Sequence, residues 1–345
     1  VLIRETAPVL GAAGTAYDTP GDWRVNVSVR SLRSDTHYSL DEEQVQRQTL
    51  GTNVINRQFA TDVTIARALT PRFGVSVGVP FSNASWSIPS PTSPVPGPRA
   101  PERAHGLGDI TAMGRTWILP TEAHPRGNIA VGMGFKMPTG AYDAQDVFVD
   151  SSGQSPQLRY VDQSVQPGDG GWGWMLETQG FRMLGRSQIF ASGSYLANPR
   201  DTNGTPSLSV SRLPPGRTPS ASSAGRLVNS VPDQYLARVG GAIGITRSIV
   251  ANVSYRVEGQ RRYDLIGASH GFRRPGVEMF IEPGVSIGRG RQTASFNLPI
   301  GFYRNRKPDP YTGLRGDATF PGIIALANYG VRFGKTRPPV ANGCQ

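Results

Sequence analysis

The sequence predicts an all-β fold: a twelve-stranded antiparallel up-and-down transmembrane β-barrel with short periplasmic turns and long extracellular loops. Three observations predict it. Apolar residues recur with a period of two in segment after segment, so each strand has one apolar face and one polar or small face. The connections after strands 2, 4, 6, 8 and 10 run to about 3–8 residues and the others to about 12–35, alternating short and long throughout. No run approaches the roughly 18 consecutive apolar residues of a membrane-spanning helix. A sheet in lipid must then close on itself, because each unpaired backbone group there costs several kcal/mol.

The 345 residues include 42 Gly and 29 Pro, and only 18% are charged. The mean hydropathy is −0.32. A soluble β-sandwich has a similar composition, but it has no reason to alternate short and long connections over twelve strands. No charged-then-apolar start is visible, so the chain is expected to be mature, with its signal removed. An even strand count puts both termini in the periplasm. Residues 1–21 read as an irregular N-terminal arm, 22–334 as the barrel and 335–345 as a polar tail. Cys344 is the only cysteine and is expected to be an unpaired tail thiol.

Strand 1 (about 22–32) sets Trp23, Val25, Val27 and Val29 against Arg24, Asn26, Ser28 and Arg30. After a polar loop, strand 2 (about 53–68) points Phe59, Thr61, Val63 and Ile65 outward and Gln58, Asp62 and Thr64 inward. Thr70-Pro71-Arg72 makes a tight turn, since Pro favours a central turn position. Strand 3 (about 73–88) turns Val75, Val77, Val79 and Phe81 outward. Residues 89–105 are proline-rich and are expected to be a stiff extended loop, neither strand nor helix.

Strands 4 and 5 form the hairpin 106–140. Ile110, Ala112, Gly114, Thr116 and Ile118 alternate with Asp109, Thr111, Met113, Arg115 and Trp117. Ile129, Val131, Met133 and Phe135 then alternate with Ala130, Gly132, Gly134 and Lys136. Residues 141–171 read as a long loop. Strand 6 (about 172–184) sets Trp172, Trp174 and Leu176 against Glu177 and Gln179, and strand 7 (about 188–198) sets Ile189, Ala191 and Tyr195 against Ser192 and Ser194. Residues 199–232, rich in Ser, Pro, Gly and Arg, read as the longest loop.

Strand 8 (about 234–246) turns Tyr235, Ala237, Val239, Ile243 and Ile245 outward and Arg238 inward. Strand 9 (about 248–262) has the cleanest alternation, Ile249 to Val257 against Asn252, Ser254, Arg256, Glu258 and Gln260. Strand 10 (about 275–287) opposes Val277, Met279, Ile281 and Val285 to Glu278, Glu282 and Ser286. Strand 11 (about 292–303) opposes Ala294, Phe296, Leu298, Ile300 and Phe302 to Thr293, Ser295 and Asn297. Strand 12 (about 321–334) ends on Tyr329, Val331 and Phe333, with Asn328 and Arg332 opposite. Pro80, Pro283 and Pro299 lack a ladder donor and are expected at bulges or strand ends.

The hairpin also carries a resemblance. Gly106-Leu107-Gly108-Asp109 opens a strand, Lys136-Met137-Pro138-Thr139-Gly140 closes the next, and Gln166-Pro167-Gly168-Asp169-Gly170 precedes the one after. These stretches resemble the outer-membrane barrel family associated with the meta-pathway of phenol degradation. The resemblance implies a channel for small organic molecules in the bacterial outer membrane.

The inward charges are Arg24, Arg30, Arg115, Lys136, Arg238, Arg256 and Arg332 against Asp62, Asp109, Glu177, Glu258, Glu278 and Glu282. A strongly selective pore would show one sign of charge. Twelve tilted strands give a backbone diameter of roughly 24 Å, leaving ~10 Å free, or nothing where long side chains pair across it. Trp23, Trp86, Trp172, Trp174, Tyr235, Tyr255 and Phe333 are expected to form the interfacial girdle in the lipid.

The net charge of +11 does not point to nucleic acid, since no fold signature for it is present. Arg99, Arg103, Arg200, Arg212, Arg217, Arg261, Arg262, Arg273, Arg274, Arg304, Arg306, Lys307, Lys335 and Arg337 are instead expected as solvated charge or as a basic rim facing anionic lipopolysaccharide. His37-Tyr38-Ser39 resembles the His-x-Ser of the twelve-stranded outer-membrane phospholipase, but without its Asn-rich surroundings; two polar loop residues are the preferred reading. His37, His105, His124 and His270 have no metal spacing, and Asp143, Asp146 and Asp150 do not follow a calcium-loop pattern.

The expectation is therefore a non-enzymatic channel with no cofactor or metal, passing small and mainly organic solutes. Its expected partners are outer-membrane lipid, lipopolysaccharide and small-molecule solutes. The alternative is a closed structural barrel that anchors or tiles an envelope assembly, or a homo-oligomer, through its loops.

Overall fold

The computed structural model describes residues 16–89, 99–148, 156–211, 213, 218–220 and 225–334. The tail 335–345 with Cys344, most of the N-terminal arm, Asp150, Arg212, Arg217, Lys335 and Arg337 lie outside the described residues.

Twelve strands form the wall. They are β1 (Trp23–Ser39), β2 (Ile55–Ala68), β3 (Phe73–Pro89), β4 in two segments (Arg99–Leu107 and Thr111–Trp117), β5 (Gly127–Lys136) and β6 (Gly173–Leu184). The second half is β7 (Ser187–Ala197), β8 (Gln234–Gly244), β9 (Ile249–Gln260), β10 (Gly276–Arg289), β11 in two segments (Gln292–Asn297 and Ile300–Arg306) and β12 (Ala318–Phe333). Each pairs antiparallel with the next, and β12 returns to β1, from Trp23 opposite Phe333 to Tyr38 opposite Ala318. Closure joins the two ends of the sheet, which is what a sheet in lipid requires, and leaves the Arg99–Leu107 segment with a wall neighbour on one side only.

The alternation sorts the two faces. Val253 is 52% exposed on the outside of β9, while Arg256 is fully buried inside. Outward rows such as Ile129, Val131, Met133 and Phe135 on β5 are similarly exposed. A globular core would bury these side chains; here they form the lipid-facing belt of a membrane-spanning barrel.

The wall prolines sit where a strand is interrupted. Pro80 on β3 lies beside the gap between the two β4 segments, where the Gly108 N–H donates to the Pro80 carbonyl at 2.7 Å. Pro283 on β10 lies beside the gap in β11, where the Leu298 N–H donates to its carbonyl at 2.9 Å, and Pro299 is in that gap. Pro321 on β12 is at a register shift against β1. A residue without an N–H is thus placed where the neighbouring ladder is already broken.

Three expectations need correction. Residues 99–105 are strand, paired with 83–89 of β3, although the proline content argued otherwise. Pro101 is tolerated because this segment has a wall ladder on one side only; on its other side the Arg103 N–H meets the Asp146 carboxylate at 2.7 Å. The connection 90–98 is consequently no longer than the turn 118–126, so the alternation of short and long has a tie at that point. Strand β1 also continues to Ser39, so His37 and Ser39 belong to the wall.

Candidate functional site

The barrel interior is layered, and each layer draws on a different part of the sequence. At mid-height is a charged network. Arg30 on β1 reaches Glu258 on β9, four strands away around the wall, so the pair forms a chord across the lumen. Arg256 Nε and Nη2 donate to the same carboxylate at 2.8 and 2.6 Å. Glu282 on β10 lies 2.8 Å from Arg238 and 3.4 Å from Arg256.

The register explains this pattern. Arg238 stands directly opposite Arg256, and Glu258 directly opposite Glu278. Like charges so placed repel. Glu282 offsets the first pair by bridging both arginines, and Arg30 and Arg256 offset the second by holding Glu258. Arg30, Arg238, Arg256, Glu258 and Glu282 are all at most 4% exposed. Further around the wall, Arg115 pairs with Glu177 at 2.7 Å, and Asp62 accepts from the Thr64 hydroxyl at 2.6 Å.

On the loop side, residues 156–170 of the connection between β5 and β6 fold into the mouth. Its short 3-10 turn (Gln163–Val165) is capped by Asp162, which accepts from the Ser164 N–H. Arg274, from the β9–β10 connection, grips Asp162 with two donors at 2.8 and 2.6 Å. Burial pushes the Asp162 carboxyl up, and the Arg274 guanidinium together with the Ser164 hydroxyl and N–H more than reverses this, leaving it below the ordinary carboxylate range. Asn56 and Gln58 on β2 donate to the Ser164 hydroxyl and carbonyl at 2.6 and 2.9 Å. Val161 and Val165 pack on Ala84, Trp86 and Ala104 of the inner wall.

The root of this connection is where the three glycine-rich stretches meet. Lys136 binds both oxygens of Asp169 and lies 3.8 Å from Asp109. Asp109 accepts from the N–H groups of Gly140 and Asp169 at 3.0 and 3.1 Å. Gly140 and Gly168 are in backbone contact, and a Cβ on Gly168 would come within 2.4 Å of the Gly140 carbonyl oxygen. Only glycine fits an approach this close.

On the turn side the interior becomes apolar. Trp117, Ala130, Phe181, Met183, Phe190, Ala242 and Val250, from the ends of β4 to β9, form one cluster, and Ala16 and Tyr17 of the N-terminal arm pack against it. A purely polar interior is therefore not what this sequence builds. Asp18 of the arm binds Arg24 on β1 and Arg332 on β12.

The structure places the expected inward residues Arg24, Arg30, Asp62, Asp109, Arg115, Lys136, Glu177, Arg238, Arg256, Glu258, Glu278, Glu282 and Arg332 on the inner face of the wall or at its breaks. Trp23, Trp172, Trp174 and Phe333 are exposed on the outside, where Tyr235 and Tyr255 are half-buried. Trp86 is a correction. It is 5% exposed and faces inward, because alternation continues unbroken from Phe81 outward to Trp86 inward. Two arginines of the expected basic rim are buried and a third is half-buried: Arg273 pairs with Asp264, Arg306 donates to the carbonyls of Pro275 and Arg273, and the half-buried Arg274 pairs with Asp162.

His37 does not serve Ser39. Its Nε2 accepts from the Val54 N–H at 2.7 Å, and its Nδ1 lies 3.2 Å from Asp317. Sequence reasoning missed Tyr17 and Asp162 and assigned Arg274 to the basic rim instead of to Asp162. Only Asp162 carried a local signal, a carboxylate two residues before the N–H that it caps.

No family model matches the chain, and no curated protein matches it. Among solved structures, an outer-membrane channel from Pseudomonas putida F1 superposes with a TM-score of 0.61 at 12% identity, over 95% of this chain and 100% of that one. The translocator domain of the autotransporter NalP from Neisseria meningitidis gives 0.44 at 14% identity, over 92% and 90%. The toluene transporter TodX from P. putida gives 0.42 at 8% identity, over 96% and 100%. The chain has the fold of bacterial outer-membrane β-barrels.

Proposed function

We propose that this barrel is an outer-membrane channel for small, mainly organic solutes, with its turn side in the periplasm and its loops outside. The observation that carries the reading is the buried charged network of Arg30, Arg238, Arg256, Glu258 and Glu282. Buried ion pairs add little stability over apolar packing of the same volume, and ionised groups inside a membrane span are costly. A barrel that served only as an anchor gains nothing from them. A path for solutes does, because polar walls let water and polar groups through. The apolar turn-side cluster adds a surface suited to organic molecules. The three motifs that resemble the phenol-degradation barrel family, joined at Lys136, support the same reading.

The second reading is the closed structural barrel anchoring an assembly through its loops. The chord from Arg30 to Glu258 and the inward connection 137–172 favour it. Planar-bilayer recording of the folded protein separates the two. Discrete single-channel steps are expected, enlarged in Asp162→Asn, which releases Arg274 and the inward connection. Folded protein that gives no steps, in the wild type or in this variant, overturns the channel reading.

A further inference from the structure

Tyr17 and Asp18, among the described residues of the N-terminal arm, lie at the turn-side mouth and make two contacts of different chemistry. The Tyr17 ring lies 4.9 Å from Trp117, edge to face, and 6.0 Å from Phe181, and those two rings are 6.0 Å apart. The Tyr17 hydroxyl donates to the His124 carbonyl at 2.6 Å. The next residue, Asp18, places its carboxylate on Arg24 and Arg332. These two arginines stand directly opposite each other on β1 and β12. Like charges so placed repel, and an anion between them relieves the repulsion.

We propose that this mouth is a binding site for a small aromatic carboxylate, and that Tyr17 and Asp18 occupy its ring half and its anion half as an internal substitute. Aromatic walls with a few placed polar groups are the usual make-up of a small-molecule site. Edge-to-face packing on Trp117 and Phe181 suits any aromatic ring, and a hydroxyl on it takes over the His124 carbonyl. The arginine pair suits a carboxylate. A neutral phenol satisfies only the ring half, and a simple carboxylate only the anion half. The site refines the solute class of the proposed channel and rests on that reading only for its role in transport. While the arm is seated, a solute must displace it, so the apparent affinity falls by the fraction of time the mouth is vacant.

The test is calorimetric titration of the folded, detergent-solubilised full chain with 4-hydroxyphenylacetate, with p-cresol and acetate as half-matched probes. The double variant Tyr17→Ala/Asp18→Asn is expected to bind the acid about tenfold more tightly than the wild type. In that variant p-cresol and acetate should each bind at least about tenfold more weakly than the acid, and adding Trp117→Ala should abolish binding. Equal affinity in wild type and variant, absence of binding in the variant, or p-cresol binding as tightly as the acid overturns the proposal. Should the double variant fail the heat-mobility check for a folded barrel, Asp18→Asn alone decides: a gain of about threefold supports the site, and no gain overturns it. Binding without conductance keeps the site and removes the channel reading. Conductance without binding does the reverse.

Discussion

Replacing Glu258 by Gln removes one negative charge from the interior and keeps the side-chain volume. Glu258 is 2% exposed and accepts from Arg30 and from two nitrogens of Arg256. Without its charge Arg30 loses this partner, and Arg256 retains Glu282, which it shares with Arg238. Breaking a buried pair by removing one partner costs about 3–5 kcal/mol, because the remaining charge is buried without compensation. The amide oxygen of Gln still accepts a hydrogen bond, so the lower end applies, about 3 kcal/mol. Urea unfolding from lipid vesicles should show that loss as a shift in midpoint at constant slope. In planar bilayers the same variant, with one more net positive charge inside, should pass chloride in preference to potassium more than the wild type does. Removing both partners, as Arg30→Met with Glu258→Met, should restore much of the lost stability. A loss below about 1 kcal/mol in Glu258→Gln would mean that the pair is as solvated as a surface pair, and the chord across the lumen would be refuted.

Trp86→Ala should cost about 3–5 kcal/mol, while Trp174→Ala on the outer face should cost far less, both read by the same unfolding assay. Gly168→Ala places a methyl 2.4 Å from the Gly140 carbonyl oxygen and 2.7 Å from Asp109 Oδ1. It should destabilise by about 1–3 kcal/mol and hasten proteolysis within 137–172. At Asp317, burial raises the carboxyl, but hydrogen bonding to His37 and the charge of Arg47 outweigh it and bring it to about 2, below its ordinary 3.8. The folded value is the lower one, so this anchor stabilises fully above the unfolded value and is lost as pH falls through about 2. Pepsin cleavage within 40–54 should therefore rise steeply towards pH 2 in the wild type and show no such step in Asp317→Asn.

The wall was legible because its signal is local. Val253, Tyr255 and Val257 against Arg256 and Glu258 is a period of two that lipid outside and polar contents inside both enforce. Trp86 shows how a correct rule can be set aside. Val75 to Phe81 fix the outward parity of β3, and Trp86 falls on the inward one, but residue type suggested the interface instead. Residues 99–105 were hidden by Pro101 and by the prolines that precede them in the sequence, because a strand with one wall neighbour tolerates a proline and composition does not reveal how many neighbours a strand has. The inward connection was not legible. Asp162 and Arg274 are far apart in sequence, and neither has a local partner that betrays the other. Tyr17 likewise gains meaning only from strand ends that the sequence does not place beside it.

The glycine contact between residues 140 and 168 ties two separate stretches of the chain to one point of the wall. Asp109 and Lys136 become neighbours only when β4 zips to β5, and Asp169 reaches Lys136 only once its own connection has swung inside. The site around Asp109 is therefore complete only when the β4–β5 hairpin and residues 166–170 are both in place.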